Sequence, residues 1–203
     1  SKMKPPAASL SSCSAIRPIT MSSVTNWPAS ITAATLLPMS VPDVLAARSI
    51  SPVDNGCIAP FVKKYKDICL LHFDAHADLR ESYNGEKFSH ASAIKRCLDY
   101  SNVSLISFGI RNISESEIPF LKKNSSRINI FWAKDKSKWN LNKFKKLIKN
   151  KTVYLTFDVD GLDSSIMPAT GTPEPGGLLW DETLNIIRIA AKNSKIVGAD
   201  INE

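Results

Sequence analysis

An α/β fold is predicted, a three-layer α/β/α sandwich around a mainly parallel sheet, and three observations predict it. Short apolar runs recur from residue 60 onward. Helical patterns fill the gaps between them. The runs are nearly continuous in apolar residues, as expected of strands covered on both faces, rather than alternating. Strand then helix, repeated, gives an α/β layer sandwich.

The elements come in order. "DICLLHFDA" (67–75), "VSLISFGI" (103–110), "INIFW" (128–132), "TVYLTFDVD" (152–160) and "KIVGADI" (195–201) read as strands. A helix is expected over 89–100, with Ser89 as its cap. A second covers 114–123 and opens on "SESE". A third covers 140–150 and is amphipathic. A fourth covers 181–192 and begins with acids, which suit the positive end of the helix dipole.

Residues 1–58 read differently. The first 50 hold ten serines, six prolines and one acid, Asp43, and no glycine precedes Gly56. Their apolar pieces are cut by proline. Two parts are therefore expected: a poorly ordered segment over 1–58 and an α/β domain over 59–203. The serine-rich, acid-poor start also fits a targeting segment, or a stretch that is not the natural partner of the α/β domain.

Composition narrows the classes. Hydrophobic residues are 43% and charged residues 22%, which excludes disorder of the whole chain. No stretch approaches eighteen apolar residues, so no membrane span is expected. Four cysteines (Cys13, Cys57, Cys69, Cys97) form no CxxC pair, as expected of free thiols in a reducing compartment and a cytoplasmic protein. The net charge of +7 invites nucleic acid. Its lysines, however, lie along solvated faces such as "KDKSKWNLNKFKKLIKNK" (134–151), and no nucleic-acid motif accompanies them.

Acids crowd where two strands end. "HFDAHAD" (72–78) carries Asp74, His76 and Asp78, and "TFDVDGLD" (156–163) carries Asp158 and Asp160. Spacing of two puts such side chains on one side of an extended chain. In an open parallel sheet, ligands bind beyond the carboxyl ends of strands. Four carboxylates in one cleft repel unless cations sit among them. Four carboxylates and an imidazole suit a hard or borderline ion such as Mn²⁺. Asp163 reads as a turn former, and His72 as a hydrogen-bonded core histidine behind Asp74.

"HFDAHADLR", "FSHASAIKR", "FDVDGLDSSIMPATGTPEPGGL" and "VGADINE" occur in the order found in ureohydrolases, and the chain from about residue 60 to 203 resembles the arginase and agmatinase superfamily. "SFGIRNISESE" and "YNGEKFSHAS" look more like agmatinase than arginase. The resemblance implies an arginase-like sandwich, incomplete at both ends, and a binuclear manganese enzyme. Such an enzyme hydrolyses agmatine to putrescine and urea, with arginine or another guanidino compound as the alternative substrate. It implies that Asp74 and Asp158 bridge two ions. His76 and Asp160 complete one site, and Asp78 serves the other. His90 would assist proton transfer to the leaving amine, Glu203 would hold the guanidinium, and the loop from Pro168 to Gly177 would form one wall. It also implies a homo-oligomer.

The family pattern has one more ligand, a histidine some two dozen residues before Asp74. This chain has histidines only at 72, 76 and 90, and "AARSISP" (46–52) offers Arg48 near the expected place. One of the two ions is therefore expected to bind weakly, and a non-catalytic remnant of a ureohydrolase stands as the alternative to an active enzyme.

Overall fold

The computed structural model describes residues 57–202; the expectations for residues 1–56 and for Glu203 lie outside the described residues. Among the described residues five strands are present: β1 Ile68–Phe73, β2 Val103–Phe108, β3 Ile128–Phe131, β4 Thr152–Asp158 and β5 Lys195–Asn202. All pair in parallel, in the order β3-β2-β1-β4-β5. Every side chain of β1 is buried, which is why its sequence shows no polar alternation.

Five α-helices of the described residues flank the sheet: α1 Ala59–Lys64, α2 Ala93–Cys97, α3 Ile118–Lys123, α4 Leu141–Ile148 and α5 Trp180–Asn193. Alternate residues of β1 sort them into two layers. Leu71 and Phe73 pack with Phe144 and Ile148 of α4 and with Ile186 and Ala190 of α5. Ile68 and Leu70 pack with Val62 of α1, with Ile94 of α2 and with Leu98 just after it, while Phe120 and Leu121 of α3 border the same cluster. The three-layer sandwich expected from the sequence is therefore present.

Helix boundaries depart from expectation at their starts. The stretch opening at Ser89 forms a 3-10 turn, His90–Ser92, before α2, and the Ser89 hydroxyl bonds Ser92 Oγ at 3.1 Å instead of capping the backbone. At the stretch that opens on "SESE", Glu117 accepts from the Ser114 backbone N–H at 2.6 Å, in a capping box that also turns 3-10 before α3. Two pieces had no sequence expectation. They are α1, which comes after the buried Ile58, and the 3-10 segment Ala133–Lys138.

The strand order fixes the place of the site. The chain runs outward from β1 through β2 to β3, then returns to the other side of β1 as β4. Consecutive connections diverge between β1 and β4, and a crevice opens beyond the carboxyl ends of that pair. Asp74 directly succeeds β1, and Asp158 closes β4. Two glycines permit the close packing there. A Cβ on Gly161 would lie 2.7 Å from Asp74 N, and Gly109 has φ +92° with its missing Cβ 3.0 Å from Asp74 O.

Candidate metal centre

Asp74 is buried and held on both oxygens. Oδ2 accepts from Nε2 of His72 at 2.8 Å, and Oδ1 accepts from the backbone N–H of His76 at 2.6 Å. His72 is itself buried, with Nδ1 3.1 Å from Ser107 Oγ on β2. It is a core histidine that orients the carboxylate, as its position in the strand suggested.

His76 turns its Nδ1 toward Asp160 Oδ2 at 2.9 Å and Asp74 Oδ1 at 3.5 Å. Asp160 accepts from Ala75 N at 3.0 Å and from the Thr172 hydroxyl at 3.0 Å. Asp158 accepts from Asp160 N at 3.0 Å. The two acids are not consecutive same-face positions of one strand. β4 ends at Asp158, and Val159–Gly161 is a 3-10 turn folded onto the end of β1. β1 likewise stops at Phe73, and Asp78 sits in the left-handed region at φ +52°. Convergence therefore comes from turns packed at the switch point and not from strand pleat.

Asp74, His76, Asp78, His90, Asp158 and Asp160 all line one cavity of about 530 Å³. His90 is exposed, and its ring meets Tyr83 edge-on at 5.4 Å. Thr170, Gly171 and Thr172 line the same cavity, so the loop read as a wall lies there. Asp163 is the turn former expected: its carboxylate accepts from the backbone N–H groups of Ser165, Gly176 and Gly177, and these bonds hold it down at about 2.

The electrostatics show strain that a cation would relieve. Burial, then the Asp74 charge, pushes Asp158 up to about 7. Burial and then Asp74 also hold Asp78 well above the carboxylate range. Hydrogen bonds to Asp160 and then Asp74 push His76 up to about 10. Burial works against charge on Asp160, but the bonds from His76 and Ala75 outweigh it and hold that carboxyl low. Ligand atoms of Asp74, His76 and Asp160 lie within 4.8 Å of one another, so the donor set fits a divalent ion in place of the protons.

Sequence reading missed three supports. Arg111 donates from Nη2 to the carbonyls of Asp160 at 2.7 Å, Glu174 at 2.6 Å and Leu162 at 3.2 Å, joining the acidic turn to the 168–177 loop. Glu117 is buried, lines the cavity and accepts from Leu79 N at 2.7 Å. Thr172 bonds Asp160. A lone arginine directly after a strand, in "FGIRN", was the one available signal.

The arginase family model matches residues 53–203. The chain belongs to the arginase family. It is 39% identical over 143 residues to an agmatinase of Bacillus anthracis, covering 70% of this chain and 48% of that protein. It is 33% identical over 185 residues to an agmatinase of Pyrococcus horikoshii, covering 82% and 63%. Against the crystal structure of agmatine ureohydrolase of Thermoplasma volcanium the TM-score is 0.57 at 34% identity, covering 68% and 46%. Arginase from Bacillus caldovelox shares the fold at TM-score 0.63 and 22% identity, covering 73% and 56%. The chain thus spans about half the length of the curated relatives it matches. Among the described residues, no helix is long and apolar enough to cross a membrane.

Proposed function

We propose that this chain is a manganese-dependent amidinohydrolase of the agmatinase type, hydrolysing agmatine to putrescine and urea. The observation that carries this reading is the meeting of Asp74, His76, Asp158 and Asp160 with Asp78 and His90 on one cavity at the switch point, in a chain with agmatinase relatives. Asp74, His76, Asp158 and Asp160 would hold one Mn²⁺, and Asp74, Asp78 and Asp158 the other. Bound dications supply Lewis acidity that activates water at neutral pH.

The chain's own groups do the rest. His72 and the His76 N–H each hold one oxygen of Asp74, which orients the carboxylate and leaves a lone pair on each oxygen. Arg111 and Thr172 set Asp160. The exposed His90 imidazole stands over the cavity beside Tyr83, where it can pass a proton to the departing amine nitrogen. Glu203, assigned to the guanidinium, comes directly after β5, the neighbour of β4. A carboxylate there would hold the guanidinium through charge-assisted bonds.

A competing reading is a remnant without turnover, favoured by the absence of any histidine before His72. Urea release from agmatine by the full chain with added Mn²⁺ separates the two. Turnover that disappears in Asp158→Asn supports the hydrolase. No urea from agmatine, arginine or a guanidino acid at any manganese concentration leaves the remnant.

A further inference from the structure

Asn112 is stitched to the metal-binding segment through its backbone. Its N–H donates to Ala75 O at 2.9 Å, its carbonyl accepts from Ala77 N at 3.2 Å, and it pairs with His76 in a parallel bridge. Bridged residues lie one strand spacing apart, about 4.8 Å. Asn112 lines the cavity, and from that fixed point its side-chain amide donates to Oε1 of Glu174 at 3.0 Å. Glu174 is pinned from its other side as well, because its carbonyl accepts from the Arg111 nitrogen that also bonds Asp160 O. Two anchors therefore keep this carboxylate beside Asn112, a residue of the cavity lining. Asn112 takes a single lone-pair site of a group that offers about four.

We propose that Glu174, presented by Asn112, reads the far end of the substrate and selects guanidino compounds that carry a primary ammonium four carbons away. The inference rests on the amidinohydrolase reading and adds a tail-specificity residue to it. Reach supports it. Thr172, whose hydroxyl meets Asp160, precedes Glu174 by two residues, at most about 7 Å of extended chain. Six bonds separate the guanidinium carbon from the amine nitrogen in such a compound, the same number as in two residues of backbone, again about 7 Å. A guanidino compound seated by the Asp160 end thus has a tail long enough for its ammonium to reach Glu174. Among the described residues that line the cavity, the one lysine or arginine is Arg80, and it already lies over the Tyr83 ring at 5.2 Å.

Isothermal titration of the full chain with MnCl₂ tests this with three ligands: agmatine, butylguanidine, which lacks the amine, and 4-guanidinobutyrate, which carries an acid instead. Agmatine is expected to bind about fivefold tighter than butylguanidine, the size of an ion pair open to water. Glu174→Gln is expected to bring agmatine down to the butylguanidine level while butylguanidine itself stays unchanged. Asn112→Ala should move agmatine in the same direction. An agmatine preference that survives Glu174→Gln overturns the proposal. So does an equal loss for both ligands, which would mark a structural role. Tighter binding of 4-guanidinobutyrate than agmatine overturns it too and points to Arg80. If no guanidine binds the wild-type chain, the amidinohydrolase reading fails and takes this inference with it.

Discussion

His76 sits with its ring between two carboxylates, and that placement governs how the centre responds to pH. Its pKa is raised to about 10 and that of Asp158 to about 7, so both hold protons where free side chains would release them. For His76 the folded state binds the proton more tightly than the unfolded one, so its contribution to stability is complete below about 6.5 and is lost as pH rises toward 10. Asp158 has the same sign: the folded chain keeps a proton that the unfolded one sheds, and stability falls between about 4 and 7. Metal ligation must expel these protons. Metal-free protein is therefore expected to lose melting temperature from pH 6 to 8.5, while the increase in melting temperature caused by Mn²⁺ grows over the same interval. A manganese-induced increase of equal size at both pH values would contradict the assignment of His76 and Asp158 as ligands.

At the scale of elements, the site depends on turns clamped against strand ends. Arg111 ties the Val159–Gly161 turn to the 168–177 loop by bonds to backbone carbonyls in a fixed fork. Lysine cannot reproduce that geometry. Arg111→Lys is expected to lower stability by about 2–3 kcal/mol, the worth of one or two charged hydrogen bonds, and to weaken Mn²⁺ binding; unchanged thermal unfolding and manganese affinity would show that the clamp is dispensable. Gly161→Ala places a methyl against the Asp74 backbone, 2.7 Å from its nitrogen. A loss of about 2 kcal/mol or more is expected in denaturant unfolding, together with displaced metal ligands. Wild-type unfolding by this variant would mean that the turn has room to move.

For the whole molecule, the five described candidate ligands divide unevenly. In the proposed assignment Asp74, His76, Asp158 and Asp160 would hold one ion with an imidazole among them, whereas Asp74, Asp78 and Asp158 would hold the other with carboxylates alone; ligand atoms of Asp74, His76 and Asp160 already lie within 4.8 Å of one another. With His72 bonded to Asp74 and His90 proposed as the proton donor, the assignment leaves no histidine for the second position. Elemental analysis after gel filtration at low free manganese is expected to find fewer than two ions per chain; a stoichiometry of two would refute this.

The sequence by itself determined the layer order, the five strands and the candidate acids at their ends, because buried parallel strands carry unbroken apolar runs and the acidic clusters directly follow two of them. "ICLLHF" and "TVYLTFD" could hardly be read otherwise. The role of Asp163 was equally local, since an aspartate closing a turn bonds its near neighbours. Tertiary structure alone decided how the acids meet. The strand period suggested a shared pleat, but both strands stop short, and it is the return of β4 alongside β1 that brings Asp160 to His76 across 84 residues. The same holds for Arg111 and Glu174, and for the bond that Glu117 accepts from the distant Leu79. Their partners are distant in sequence or are backbone atoms, and neither leaves a pattern in spacing. Hydrophobic periodicity records which face of a segment is buried, whereas a buried charge records only the partner that folding brings to it.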